Sequence, residues 1–205
     1  MLDPLLRRLV DPPLNCAGVW LADRGLTANQ ATLAGFAVGL LAVPLLAYGN
    51  YSAALIVILL NRLLDGLDGV IARRTRPTAF GGYLDIVCDM AFYAAVPLGF
   101  ALASADNAVW AALLLTSFMC TGTSFLGRAV MAAQRGETDN GVRGRKSFFY
   151  SAGLIEGTET IIAFVLFCLF PASFPWLAAA FALLCFWTAV ARVLEGFGAD
   201  SESDR

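Results

Sequence analysis

Along this chain the apolar residues gather into long uninterrupted segments rather than the short alternating runs of half-buried strands. A helix rises about 1.5 Å per residue, so crossing an apolar layer of about 30 Å takes roughly 20 residues. Segments near that length run from Ala31 to Tyr48, from Tyr51 onward, and from Gly82 to Ala103. Others run from Asn107 to Gly127 with a continuation to Ala133, from Phe148 to Phe170, and from Trp176 to Phe197. The second is apolar through Leu60 and then carries Arg62, Asp65 and Asp68; the third is polar at its start and apolar after Asp89. Gly49-Asn50 is a turn, and Pro171 with Pro175 ends a helix, because proline lacks the amide donor and its ring clashes with the preceding turn. Pro44 and Pro97 are expected to kink the first and third helices. The pattern predicts an all-α polytopic membrane protein with six transmembrane helices.

The ends of the chain read differently. Leu2, Leu5, Leu6 and Leu9 share one helical face, with Arg7 and Arg8 off it, and Leu14 to Ala22 is expected to form a second short helix after Pro12-Pro13. Residues 1–24 are therefore predicted to be an interfacial amphipathic segment and residues 25–198 the six-helix domain. Residues 199–205 form a polar tail, expected to be disordered. Asp3, Arg7, Arg8 and Asp11 interrupt the start, so it is not read as a signal peptide.

Composition and charge sharpen this. Charged residues make up 15% of the chain, against about 25% in ordinary soluble domains. This excludes a disordered chain and a nucleic-acid binder driven by bulk charge. The three loops opposite the termini hold no Lys or Arg, whereas Arg7, Arg8, Arg24, Arg73, Arg74, Arg76, Arg135, Arg143, Arg145 and Lys146 fall on the other side. By the positive-inside rule that side, with both termini, is cytoplasmic, most simply in a cytoplasmic membrane. Cys16, Cys88, Cys120, Cys168 and Cys185 show no paired spacing and are expected to be buried reduced thiols. No histidine is present, so acid–base or metal chemistry falls mainly to carboxylates.

Ionisable residues at membrane depth are costly and point to function. Asp65 and Asp68 stand at i, i+3, and Asp85 and Asp89 at i, i+4, so each pair shares a helical face. An antiparallel hairpin can bring the two faces together. Four carboxylates at close range repel one another, and a divalent cation relieves the repulsion. An all-oxygen set suits Mg²⁺ or Mn²⁺, and Ca²⁺ is compatible with the same ligands. Gly66 and Gly69 beside the carboxylates would let a ligand approach the backbone, Gly81-Gly82 can shape the entry to the third helix, and Arg73 is placed to counter a phosphate.

The run Asp65-x2-Asp68-Gly69-x2-Ala72-Arg73-x7-Gly81-x3-Asp85-x3-Asp89 resembles the signature of the CDP-alcohol phosphotransferase family, and the six-helix layout extends the resemblance over most of the chain. Thr27-Ala28-Asn29-x2-Thr32 is similar to a less specific family feature near the nucleotide. The resemblance implies transfer of a substituted phosphate from a CDP-alcohol, chiefly CDP-diacylglycerol, to an alcohol acceptor with release of CMP, in phospholipid synthesis. It implies one or two divalent ions on Asp65, Asp68, Asp85 and Asp89, with Asp89 as general base and Asp85 shared between catalysis and metal. It also implies donor contacts from Asn29, Thr32, Asp65, Gly69, Ala72, Arg73 and Gly81, and a homodimer. Membrane lipids surround such a protein, and nucleic acid is not a partner.

A second polar cluster brackets the connection between the fourth and fifth helices. Arg128 and Lys146 adjoin helices and are candidates for an acceptor phosphate of the glycerol phosphate or inositol phosphate kind, whereas Arg143 and Arg145 read as headgroup-attracting charges. Glu156 and Glu159 could line the cavity or pair with Arg128 or Arg62. Gly35-x3-Gly39 reads as a packing motif within the bundle. Two competing functions share part of this pattern. An intramembrane Mg²⁺-dependent prenyltransferase would use Asn61-x3-Asp65 on a diphosphate, and a cation transporter would place acids near the midplane.

Overall fold

A computed structural model describes the backbone of residues 3–134 and 155–203 and the side chains of 12–134 and 155–197. All regular structure among them is helical: α1 (Asp3–Asp23), α2 (Ala28–Leu40), α3 (Ala42–Ala47), α4 (Tyr51–Arg74), α5 (Ala79–Ala103), α6 (Ala108–Gln134), α7 (Gly157–Leu169) and α8 (Phe174–Ser203). Short 3₁₀ turns at Ala105–Asn107 and Pro171–Ser173 join α5 to α6 and α7 to α8.

Local chemistry sets these boundaries. Thr27 and Gln30 form a reciprocal capping box at the start of α2, the Thr27 hydroxyl accepting from Gln30 N–H and the Gln30 side chain accepting from Thr27 N–H. Asn50 caps α4 by accepting from Ala53 N–H, and Thr78 caps α5 by accepting from Gly81 N–H. Gly49, at φ +74°, makes the tight reversal between α3 and α4. Pro44 cannot donate to the Leu40 carbonyl, and the first predicted helix divides into α2 and α3 at Leu41. Pro97 lies within an unbroken α5.

The helices of residues 28–47, 79–103, 105–134 and 171–197 are long and apolar enough to cross a membrane. The other two predicted spans differ from that standard. α4 has the length, 24 residues, but its second half is charged. α7 is apolar but has 13 residues, so it reaches about 20 Å. The fifth helix thus does not begin at Phe148: the backbone at Glu156 is extended (φ −126°, ψ −170°), and Glu156 N–H donates to the Glu159 side chain across the first turn of α7 at 3.1 Å. Residues 148–154 lie outside the described residues.

The N-terminal segment departs from prediction in continuity. Pro12 and Pro13 do not divide it; α1 runs through both. Both prolines are exposed, so the carbonyls they leave without a donor can be served from outside the protein. α1 packs on α4 through a reciprocal exchange of bulk. Leu14 occupies the space above Gly66, and Val70 occupies the space above Gly18, where an added Cβ would meet it at 2.5 Å. Gly66 therefore serves helix packing rather than ligand approach. The side chains of Leu2, Leu5, Leu6, Leu9, Arg7 and Arg8 lie outside the described set. At the other end α8 stays helical to Ser203, so the polar tail expected to be disordered from residue 199 continues the helix.

The core is aromatic. Phe92, Phe100, Phe164, Phe167 and Phe174 are fully buried and tie α5, α7 and α8 together; Phe100 stacks on Phe174 at 4.3 Å between ring centres. Gly35 and Gly39 face inward, against Leu64 and against Asn61 and Phe92, so this motif packs α2 on α4 and α5. Cys88, Cys168 and Cys185 are buried free thiols as expected, whereas Cys120 is only half-buried on α6 and Cys16 is exposed on α1, where only one face meets the bundle.

Candidate active site

α4 and α5 form the antiparallel hairpin that the aspartate spacing called for, closed by the short connection between Arg74 and Ala79. Their facing sides bring together carboxylate oxygens of Asp65, Asp68 and Asp85, all within 4.8 Å of one another. Three hard oxygen donors at that spacing fit a divalent cation such as Mg²⁺ or Mn²⁺.

Each member of the cluster has its own support. Asp68 is buried and accepts a 2.6 Å hydrogen bond from the Thr32 hydroxyl of α2. That length is typical of a hydroxyl donating to a charged carboxylate. The same hydroxyl lies 3.0 Å from the Ala28 carbonyl, the bond available to any helical threonine. Asp89 lies one turn beyond Asp85, and its Oδ1 stands 2.9 Å from Nη2 of Arg62. Nη1 of Arg62 lies 3.6 Å from Oδ2 of Asp65.

Arg62 is held on every side. Its Nε donates to Oδ1 of Asn61 at 2.8 Å, Nη1 reaches the Tyr93 hydroxyl at 3.4 Å, and its guanidinium carbon stands 4.7 Å from the centre of the Phe92 ring. Asn61, 2% exposed, donates in turn to the Gly35 carbonyl of α2 at 2.8 Å. A carboxamide suits this position because it accepts and donates at once. Gly39 leaves room for it: a Cβ there would stand 2.7 Å from Asn61 Nδ2. A small crevice lined by Thr32, Gly35, Phe36, Asn61, Arg62, Asp65, Cys88 and Asp89 opens beside the carboxylates.

The residues predicted to contact the donor surround the same hairpin. Asn29 and Gly81 are neighbours, an added Cβ at Gly81 standing 3.1 Å from Asn29 Oδ1. Arg73 lies over Gly69, 3.3 Å from where a Cβ would be. Ala72 is half-buried one residue before Arg73. Arg128 is buried in α6, beside Gly196 of α8. Lys146, with Arg135, Arg143 and Arg145, lies outside the described residues. Glu156 and Glu159 belong to the start of α7, as described above.

The sequence pattern alone did not single out Tyr93 or Arg192. Arg192 of α8 is buried, donates to the Thr121 carbonyl at 3.2 Å, and lies 5.6 Å from the Phe125 ring centre. The rule applied to the aspartates would have found it, since it is a charge inside a predicted apolar span, with Glu195 one turn further on. Asn61, whose spacing from Asp65 suggested a diphosphate motif, instead links α2 to Arg62.

Known proteins share this architecture. A family model described as CDP-alcohol phosphatidyltransferase matches residues 25–191. Inner membrane protein YnjF of Escherichia coli is 52% identical over 198 residues, 96% of each chain. Archaetidylinositol phosphate synthase of Pyrococcus horikoshii is 39% identical over 98 residues, covering 47% of this chain and 52% of that protein. The fold matches the crystal structure of Mycobacterium tuberculosis phosphatidylinositol phosphate synthase with CDP-DAG bound, at a TM-score of 0.71 and 23% identity over 88% of this chain and 91% of that one. With the signature residues converging on one hairpin and the family model spanning all helices from α2 into α8, this chain belongs to the CDP-alcohol phosphatidyltransferase family and is a CDP-alcohol phosphotransferase.

Proposed function

We propose that this enzyme transfers a phosphatidyl group from CDP-diacylglycerol to a polyol phosphate, of the inositol phosphate or glycerol phosphate class, and releases CMP. Family membership favours this over the prenyltransferase and transporter readings. The observation that carries it is the convergence of Asp65, Asp68 and Asp85 within 4.8 Å, with Asp89 one turn away. The choice of donor and acceptor class draws on two relatives. One structural neighbour was solved with CDP-DAG bound, and a half-length relative is named an archaetidylinositol phosphate synthase.

In this reading Asp65, Asp68 and Asp85 hold the divalent ion or ions, whose charge, when bound, offsets that of the donor diphosphate. Thr32 fixes the rotamer of Asp68 from α2. Asn29, Gly69, Ala72, Arg73 and Gly81 frame the donor, with the short side chains leaving room for the nucleoside and Arg73 for a phosphate. Asp89 accepts the proton of the acceptor hydroxyl as its oxygen attacks the phosphatidyl phosphorus and the bond to CMP breaks. A covalent enzyme intermediate is not required. Arg128 and Lys146 are the candidate contacts for the acceptor's own phosphate, and buried Arg192 in the neighbouring helix adds positive charge to the same side. The site and both termini face the cytoplasm, in keeping with the basic residues on that side. The Escherichia coli relative, named an inner membrane protein, fits that placement.

The test is incubation of purified protein with CDP-diacylglycerol, Mg²⁺ or Mn²⁺ and a panel of acceptors, with mass spectrometry of the lipid product. The panel holds glycerol phosphate, inositol phosphate, inositol, serine and choline. A phosphorylated polyol lipid with matching CMP supports the reading; product only from unphosphorylated alcohols, or none, rejects it.

A further inference from the structure

The Asp65–Asp68 turn of α4 is gripped from two opposite sides. On one side α2 closes on it. Gly35 lies against the α4 backbone, where an added Cβ would stand 3.7 Å from the Asp65 nitrogen, and the Thr32 hydroxyl donates to Asp68 at 2.6 Å. On the other side stands α1. Leu14 meets Gly66, Gly18 meets Val70, and Asp23 pairs with Arg74 at 3.4 Å. Near-equal steps along the two helices mean that α1 runs beside α4 here, in the same direction, instead of crossing it. At about 100° per residue, Gly66, Val70 and Arg74 form a stripe on the side of α4 opposite to Asp65 and Asp68. The tightest point is Gly18, where an added Cβ would stand 2.5 Å from Val70 Cγ1 and 2.7 Å from Val70 Cβ. Val70 is buried and β-branched, and its Cβ moves only with the backbone of α4.

We propose that α1 is a positioning element of the active site, and that Gly18 is the residue that sets its distance from α4. Packed against Val70, α1 presses the Asp65–Asp68 turn onto α2 from behind. The turn has reason to need a support. Gly66 follows Asp65 and Gly69 follows Asp68, and glycine is the weakest helix former after proline. A shift of α4 at Val70 is passed to Asp68 half a turn away and to Asp65 beyond it, and misplacement of reacting groups by about 1 Å can lower a rate by about 100-fold. The inference rests on the reading given above for what these carboxylates do, but the packing of α1 on α4 does not depend on which alcohol the enzyme uses.

Gly18→Ala tests this by wedging the helices apart by about 1 Å, the difference between the 2.7 Å approach to Val70 Cβ and an ordinary carbon contact. Two quantities are measured on purified protein, each well below the variant's own Tm. One is Mn²⁺ affinity, by electron paramagnetic resonance without donor or acceptor; the other is kcat/KM for CMP release. In folded Gly18→Ala, Mn²⁺ affinity should fall at least about fivefold and kcat/KM at least about tenfold. Gly18→Ala combined with Val70→Gly moves the bulk from α4 to α1 and keeps the number of glycines unchanged. That pair should bring both quantities back to within about twofold of wild type. Leu14→Ala removes bulk without a clash and should shift both in the same direction by about threefold, so it decides the matter where Gly18→Ala does not fold. A folded Gly18→Ala with lowered Tm but wild-type Mn²⁺ affinity and kcat/KM would show a merely structural contact and overturn the proposal. Failure of Val70→Gly to restore Gly18→Ala, an unchanged Leu14→Ala, or no Mn²⁺ binding by the wild type would overturn it as well. A wild-type chain that forms no lipid product, yet whose Mn²⁺ affinity follows this pattern, leaves the role of α1 standing and rejects the assigned reaction.

Discussion

Gly39→Ala tests the coupling between helix packing and the site. The new methyl carbon would sit 2.7 Å from Asn61 Nδ2, 2.7 Å from Phe92 Cδ2 and 3.0 Å from Asn61 Cγ. Both neighbours are buried, Asn61 at 2% exposure and Phe92 at 0%, so neither can move into open space. Overpacking of this kind costs about 1–3 kcal/mol. Displacing Asn61 also breaks its bonds to the Gly35 carbonyl and to Arg62, and an unpaired buried polar group costs about 1–3 kcal/mol. Alanine returns about 1 kcal/mol through its better helix propensity. The net loss is about 1–5 kcal/mol, or roughly 2–20 °C in Tm for a chain of this length. Thermal unfolding in detergent can be followed with a thiol-reactive dye, because Cys88, Cys168 and Cys185 are buried and become reactive only on opening, while exposed Cys16 and half-buried Cys120 set the baseline. Gly66→Ala is the control. Its methyl would meet only the flexible end of Leu14, at 2.8 Å, and its Tm should stay within about 3 °C of wild type. Gly39→Ala should also lose transfer activity at temperatures where it is still folded, since Arg62 loses its brace. A Gly39→Ala protein as stable as Gly66→Ala would refute the packing argument, and one that is destabilised but fully active when folded would refute the link to the site.

Asp89→Asn should abolish CMP release while leaving CDP-diacylglycerol binding, measured by equilibrium binding of labelled donor, within about threefold of wild type. Thr32→Val keeps the shape of the side chain but removes the 2.6 Å bond to Asp68; the loss of a hydrogen bond to a charged group, about 1.5–3 kcal/mol, predicts a fall in kcat/KM of roughly 10- to 100-fold. Mn²⁺ at about 100 times its Kd should stabilise the fold by about 2.7 kcal/mol, seen as a rise in Tm that chelation reverses and that Asp68→Asn abolishes. Arg128→Gln should raise KM for a phosphorylated acceptor with little change in KM for donor; an unchanged acceptor KM removes Arg128 from the acceptor site.

Much of the site was legible because it depends on spacing along single helices. Asp65 with Asp68 and Asp85 with Asp89 share faces by helical geometry alone, and the turn between α4 and α5 forces those faces together. Glycines were harder to read. Gly66 and Gly69 look alike in sequence, yet Gly66 receives Leu14 from a helix some fifty positions earlier while Gly69 lies under Arg73. Only the placement of α1 separates them. The start of α7 was missed for a related reason: hydrophobicity continues upstream to Phe148, whereas the boundary is set by the Glu156–Glu159 cap. The role of Asn61 was hidden because its partners come from α2 and from its own neighbour, and neither follows from a repeat period.

The partners of the carboxylates also distinguish them in this histidine-free site. Four aspartates with the same chemistry occupy one hairpin, so their roles must come from their partners. Asp68 receives a neutral hydroxyl, which orients it but leaves its charge in place. Asp89 receives a full positive charge from Arg62, and Asp65 a weaker share at 3.6 Å. Carboxylate oxygens of Asp65, Asp68 and Asp85 lie within 4.8 Å of one another, a spacing at which a divalent cation would relieve their mutual repulsion. Asp89 is thus set apart from the other three by one arginine, which is itself held by one asparagine and two aromatic rings.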